Sequence, residues 1–412
     1  MNGNKTISLR LAGALVLLAA LGFPSASHGG RDAEYAASSR VASDAETILA
    51  RAVAYLRCKQ GPDGTWRSET YGLLKSGQSL TPFVLHALSL VPSTLNPNAE
   101  ESIRLAMAAL RRNADAQGVH GRSDPDLLDY PNYATAYALR CFLRHGDDHD
   151  LPLVRQAALH LLTRQFSERD GFGSDSTVHG GWGFGITERP TFSSFVDLSH
   201  TRRVLQALRE ADLLPSETRK RALRFLAVLQ NHPSATPPTF SPTLPLLGDD
   251  SPPFDGGFHA SPNVAYANKG RSARHPRSGA SYFRSYATAT ADGILALLAA
   301  GAPPNDPKVR SAARWLRDNE GWNLPSGIPA EHHEPWAESM RYYHLAVRAE
   351  AYASLNEPGP WRQNLVNFLS ANQRTDGSFL NPEGKLMKED DPILTTTYAV
   401  LALAHELNEF TD

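Results

Sequence analysis

Apolar positions recur along this chain with the period of an amphipathic helix, and the helices so defined come in pairs. The first member of each pair is amphipathic, and the second is richer in Ala and Leu and poorer in charge. The pairs are 45–59 with 80–91, 99–116 with 132–145, 151–166 with 195–211, 216–230 with 286–300, 306–319 with 341–355, and 361–373 with 392–407. Within the fourth pair, Ile294, Leu295, Leu297 and Leu298 follow the 3.6-residue spacing. Asp306-Pro307 and Gly359-Pro360 read as helix starts, where proline is tolerated in the first turn. The segments 134–139 and 396–403 are apolar nearly all round, which marks a buried helix.

First helices begin near 45, 99, 151, 216, 306 and 360, so the basic step is about 52 to 54 residues. A repeat of this kind cannot bury its apolar face alone and must stack on its neighbours. The expectation is an all-α chain: an (α/α)6 toroid of six helical hairpins, with the second helices forming the inner ring and the first helices the outer. The fourth step is lengthened by a Pro-, Ser- and Gly-rich insertion over 232–281. A long loop without helical period is either a functional lid or a disordered segment, and both readings stay open.

The hairpin turns carry a shared signature. Gln60-Gly-Pro-Asp63-Gly64-Thr-Trp66 and Gln373-Arg-Thr-Asp376-Gly377-Ser-Phe379 have the same layout. Gly180-Gly181-Trp182-Gly183 and Asp255-Gly-Gly-Phe258 are weaker versions. Asp-Gly makes a tight turn in which glycine accepts a positive φ. The aromatic residue then covers the hairpin junction, and the glutamine can satisfy exposed helix-end groups. These residues therefore read as scaffold.

The pattern resembles the Gln…Asp-Gly-x-Trp repeat of squalene and hopene cyclases. The segment 391–403 resembles the helix that closes a repeat in that terpenoid cyclase and prenyltransferase superfamily. The resemblance runs over about 45–408 and implies the toroid fold. It also implies an apolar, isoprenoid-like small molecule as the ligand, held in a central cavity. The D-x-D-D acid of class II triterpene cyclases is missing from the sequence, the nearest strings being Lys388-Glu389-Asp390-Asp391 and Gly248-Asp249-Asp250. Asp391 reads instead as the cap of the following helix. Asp292-Gly293-Ile294 and Tyr343-His344 resemble the zinc elements of protein prenyltransferase β-subunits. Ile294 stands where a thiolate belongs, and Asp292 with His344 falls short of a zinc donor set, so no metal or cofactor is expected.

The first residues change the picture of where the chain works. Lys5 and Arg10 precede an uncharged apolar run over 11–23, and Ser25-Ala26-Ser27 supplies small residues for cleavage. This reads as a signal peptide over 1–27, followed by a linker over 28–43 and the toroid over 44–412, with the mature chain exported to a periplasmic or extracellular space. No later run is long enough to span a membrane. A net charge of −2 offers no footprint for nucleic acid. The two cysteines, Cys58 and Cys141, read as small buried side chains, although an oxidising compartment would permit a disulfide.

Inner helices that run parallel bring equivalent ends to one mouth, where polar residues converge. Tyr133, Tyr282, Tyr286, Tyr342, Tyr343 and Asp391 are the expected ligand-binding set, and Asp197, His200, Asp292 and His344 the candidates for chemistry. Asp197 and His200, at i and i+3, share a helix face, and the pair suits a histidine general base. Arg271, Arg274, His275 and Arg277 form a basic loop. Three functions fit: a toroid for an apolar ligand, an exported scaffold for a protein partner, and a glycan-active α/α barrel. The first needs an apolar, aromatic cavity, the second a filled channel and an exposed patch on one rim, and the third either two carboxylates at glycosidase separation or a base with an arginine in an open groove.

Overall fold

The computed structural model describes residues 28–122, 129–186, 190, 195–232, 255–262, 264, 267–274 and 281–407. The chain divides into two units, Met1–Arg40 and Val41–Asp412. Of the first, the described residues 28–40 are helical backbone. Helix α1 (His28–Cys58) thus begins at His28, so the stretch expected as a linker is helical. Its Ala, Arg and Glu content, free of Pro and Gly after Gly30, favours that.

The second unit is the toroid. Its outer helices are α1, α4 (Glu100–Asn113), α6 (Leu151–Thr163), α8 (Ser216–Leu229), α10 (Pro307–Asp318) and α13 (Trp361–Asn372). Its inner helices are α3 (Leu80–Ser89), α5 (Pro131–His145), α7 (Leu198–Glu210), α9 (Ala287–Ala299), α12 (Arg341–Ser354) and α14 (Pro392–Leu407). Single helical turns α2 (Gly72–Lys75) and α11 (Trp336–Ser339) sit in two of the loops. Each inner helix packs on the next around the ring, and α14 packs back on α3, which closes it. Helix α9 is buried along almost its whole length, as expected for an inner position. Two antiparallel ribbons join the loops: β1 (Trp182–Gly183) pairs with β2 (Val196–Asp197), and β3 (Ser272–Arg274) with β4 (Ser281–Phe283).

The turn signature is what ties one repeat to the next. In four repeats a glutamine after the outer helix donates its side-chain amide twice. One bond goes to the turn glycine's carbonyl and the other to a backbone carbonyl of the next outer helix. Gln60 reaches Gly64 and Ser102, Gln165 reaches Gly180 and Thr218, and Gln230 reaches Gly256 and Lys308. Gln373 reaches Gly377 and Ile48, so the last repeat is sewn to the first. Gly180 shows why the turn needs glycine: its φ is +92°, and a Cβ there would lie 2.0 Å from the Arg221 carbonyl oxygen. The residue two places on is pinned from the inner ring. Backbone amides of Trp66, His120, Trp182, Phe258 and Phe379 donate to Thr81, Thr135, Thr201, Thr290 and Thr396. In the second repeat a buried histidine, His120, thus takes the aromatic's place. Gln165→Leu, which strands two carbonyls, should lower unfolding free energy by about 1–3 kcal/mol in urea titration.

Two buried carboxyls give the fold a pH dependence. Glu406, on α14, has both oxygens buried and without a hydrogen-bond partner among the described residues, and burial pushes it up to about 7. Glu389 accepts from the backbone amides of Tyr342 and Tyr343 and caps α12, yet burial also pushes it up to about 7. A carboxyl raised in the folded state holds its proton there while the unfolded chain releases it. The stabilisation is therefore complete below about pH 4.5 and is lost as pH rises through about 7. Glu406→Gln should match the unaltered chain closely at pH 5 and be the more stable of the two at pH 8, because only the unaltered chain must then carry a buried charge or hold a proton against solution. Denaturant titrations at the two pH values measure it.

Candidate functional site

The N-terminal ends of the inner helices surround a cavity of about 380 Å³. Its wall is largely apolar and aromatic, with Phe83, Tyr133, Phe184, Tyr286, Tyr343 and Tyr398 among the lining residues. Ala260, Ala267 and Lys269 come from the described parts of the long insertion. They are anchored there: the Leu198 amide donates to the Ala260 carbonyl, and the Tyr286 hydroxyl to the Ala267 carbonyl. The Asn268 side chain accepts from the Ala260 and Ser261 amides and donates to the Ser261 carbonyl. These segments therefore act as part of the cavity wall.

One polar pair interrupts the apolar wall. Asp197 ends β2 and caps α7, where its carboxylate accepts from the His200 amide at 2.8 Å. The ladder to Trp182 fixes its backbone. That ladder requires Gly183, because a Cβ there would lie 1.7 Å from the Phe195 carbonyl oxygen. His200 Nδ1 lies 3.0 and 2.9 Å from the two carboxylate oxygens of Asp197. An ionised carboxylate only accepts, so Nδ1 carries a proton, and whenever the ring is neutral its lone pair is on Nε2. Burial pushes the Asp197 carboxyl up, but the pull of His200 and its hydrogen bonds outweighs it and holds the group below its ordinary range. Nε2 is buried and has no hydrogen-bond partner among the described residues. The imidazole sits between Tyr133, 4.8 Å away edge-on, and Phe184, 4.6 Å away.

Below this pair a buried ion network links α5, α7, α9 and α12. Arg202 donates to Asp292 at 2.8 Å and also to Glu350. Arg203 donates to the Tyr137 hydroxyl at 2.6 Å and lies 3.5 Å from Asp292. Its guanidinium faces the rings of Tyr133, Tyr137 and Tyr343 at 5.3, 5.8 and 6.0 Å. The Tyr343 hydroxyl donates to the second Asp292 oxygen at 2.5 Å, and Gln206 donates to Glu350 at 2.7 Å. Two arginines thus face two carboxylates, and Arg202 holds the Glu350 carboxyl well below its usual range against the effect of burial.

Two lysines complete the wall. Lys269 lies 3.1 Å from the centre of the Trp336 ring, and burial pulls it down to about 7. Lys388, at φ +61°, donates to the Tyr130 hydroxyl at 3.0 Å.

The structure brings six of the ten expected site residues to this cavity: Tyr133, Asp197, His200, Tyr286, Asp292 and Tyr343. The other four lie elsewhere. His344 is fully buried and engages the Gly321 carbonyl at 2.6 Å, so it does not join Asp292 in a metal site. Tyr342 packs its ring on Phe368 and Phe379, between the helix rings. Tyr282 sits on β4 and receives Arg284. Asp391 caps α14 through the Ile393 and Leu394 amides and receives the Ser68 hydroxyl. Cys58 is exposed, contrary to expectation, and Cys141 is buried, its thiol donating to the Pro82 carbonyl; both are free. Arg271 pairs with Glu331, while the rest of the basic loop from 275 and the Asp249-Asp250 string lie outside the described residues. Among the described residues, His332, His333 and Glu334 bring three ligating atoms within 4.8 Å of one another, on a partly exposed loop. Sequence reasoning missed Arg202, Arg203 and Glu350. The available signal was three charges inside helices that are otherwise built to be buried.

This architecture is the terpenoid cyclase-like α/α toroid. A substituted form of the type II terpene cyclase MstE from Scytonema, in complex with geranylgeranyl dihydroxybenzoate, is similar at 14% identity with a TM-score of 0.54. The match covers 90% of this chain and 99% of that one. A protein from Actinoplanes is similar at 17% identity, TM-score 0.53, over 88% and 99% of the two chains. The α-1,6-mannanase GH76A from Salegentibacter has the same fold at 11% identity, TM-score 0.51, over 88% and 98%. No family model matches the chain, and no curated protein matches it in sequence. At these identities the likeness is one of fold.

Proposed function

We propose that this chain binds an apolar, isoprenoid-like ligand in the central cavity and that His200 exchanges a proton with it. The observation that carries the reading is the aromatic hollow containing one oriented imidazole whose outer nitrogen has no partner among the described residues. Its volume, about 380 Å³, is within the range of small-molecule sites. The neighbouring cyclase MstE holds a geranylgeranyl compound on the same fold, which supports the class of ligand.

The two competing readings fit less well. A pure scaffold calls for a filled channel, and this one is hollow. A glycosidase needs two carboxyls able to serve as acid and as base or nucleophile. Here Asp197 is committed to His200, and Asp292 to Arg202 and Tyr343. Alkene protonation needs a carboxyl kept neutral, and Asp197 is instead held below its ordinary range.

Filling the hollow tests the binding claim. Ala289 lines the cavity on α9 and is 3% exposed. Ala289→Trp should weaken binding of a fluorescent polyprenyl alcohol by more than about 100-fold, or about 2.7 kcal/mol, while the melting temperature stays close to that of the unaltered chain. An unchanged affinity sinks the assignment of the cavity.

We also propose export, on the strength of Lys5, Arg10 and the apolar run that follows them. Among the described residues, no helix is long and apolar enough to cross a membrane. Intact-mass analysis of cell fractions should find a chain lacking about the first 27 residues outside the cytoplasm. A full-length chain confined to the cytoplasm overturns export.

A further inference from the structure

A second concavity, an open groove of about 620 Å³, lies on the outer wall between the fifth and sixth repeats. Helix α13 forms one side with Asn364, Asn367, Phe368 and Asn372, while Trp322 and Arg341 form the other. At 100° per residue, the four α13 residues share one face. The adjoining face, with Leu365, Val366 and Leu369, is buried in the core, as is Trp361 in the first turn.

The composition of that outer face is unlike that of three other outer helices. Helices α4, α8 and α10 present Arg, Lys, Glu and Asp to solvent, as outer helices ordinarily do. Helix α13 presents amides and one arginine, Arg362. Asparagine is a poor helix former, because its side chain competes for backbone groups. Three of them on one face weaken the helix by about 0.5 kcal/mol each relative to alanine, and core packing does not call for them.

What the groove offers is specific. Asn364 makes no side-chain hydrogen bond among the described residues. Asn367 accepts from Gln363 and keeps its amino group for other partners, while Asn372 donates to the Phe368 carbonyl and keeps its oxygen. Arg341 lines the groove, and its Nε is buried and has no partner among the described residues. Trp322 is held rigidly, stacked on Trp361 at 6.1 Å and 13° with Arg348 over the ring at 5.1 Å. Amides both donate and accept, as vicinal hydroxyls do, and aromatic rings receive the C–H face of a sugar. A single guanidinium is too little for a polyanion, and an amide wall is too polar for a lipid.

We infer that this groove is a saccharide-binding site for a neutral oligosaccharide, separate from the central cavity. The test is isothermal titration of the whole protein with cellohexaose, maltohexaose, xylohexaose and α-1,6-mannohexaose. At least one should bind with millimolar affinity or better. Asn364→Ala/Asn367→Ala, which favours the helix, should weaken it more than 10-fold, while Ala289→Trp should bind it unchanged. Binding of none of the four, or binding indifferent to the two asparagines, overturns the proposal. Binding lost in Ala289→Trp and kept in the asparagine variant moves the sugar to the central cavity and also overturns it.

Discussion

In heavy water, a polyprenyl ketone held by the unaltered protein should gain deuterium at the carbon next to its carbonyl, and one held by His200→Ala should gain it about 10²- to 10⁴-fold more slowly. The expectation rests on three features of one side chain. Asp197 fixes the ring and its tautomer, so the lone pair is on Nε2. Nε2 is buried in the cavity wall and has no competing partner among the described residues. Tyr133 and Phe184 hold the ring from two sides. Removing the imidazole removes the base and leaves the apolar wall, so binding should stay within severalfold. Asp197→Asn separates orientation from chemistry. Its amide can donate to Nδ1, which moves the ring proton to Nε2 and blocks the base while the ring stays in place. Mass spectrometry of the recovered ligand reads both variants. Equal deuterium uptake by the unaltered protein and His200→Ala would remove His200 from the chemistry.

Arg202→Ala is expected to lower unfolding free energy by about 3–5 kcal/mol. Arg202 and Asp292 are nearly sealed from solvent, with side chains 2% and 4% exposed. Removing the guanidinium leaves Asp292 with the more distant Arg203 and deprives Glu350 of its closest cation. A buried charge left without its partner is far more costly than the intact pair is worth. Replacing both members of the Arg202–Glu350 pair with methionine should therefore recover most of the loss. Arg202→Lys should not, because one ammonium cannot reproduce a planar fork shared between two carboxylates. Urea titration of the three variants makes the comparison. A loss below about 1 kcal/mol in Arg202→Ala would mean the network is hydrated and weak.

The helix pattern carried most of the fold. The expected inner helix over 341–355 is Arg341–Ser354, and that over 392–407 is Pro392–Leu407, because capping and apolar content agree there. The glutamine, Asp-Gly and aromatic positions were readable as scaffold for the same reason: their roles are local and repeat. The site was harder, since the sequence says which end of a helix a residue occupies but not its azimuth. Tyr342, Tyr343 and His344 are consecutive, and 100° steps send only Tyr343 to the axis. Tyr342 instead meets Phe368, and His344 meets Gly321. Arg202 and Arg203 look like surface charge until α9 and α12 bring Asp292 and Glu350 against them. Asp197 and His200 were legible because a helix cap and an i, i+3 pair are set by one turn of backbone.

The most direct test of the account is native mass spectrometry of the protein purified from cells, with analysis of whatever is released on denaturation, beside Ala289→Trp prepared the same way. The account predicts an apolar molecule, isoprenoid in character, released by the unaltered chain and missing from the variant. An apo mass for the unaltered chain that persists after incubation with squalene and polyprenyl alcohols would contradict it.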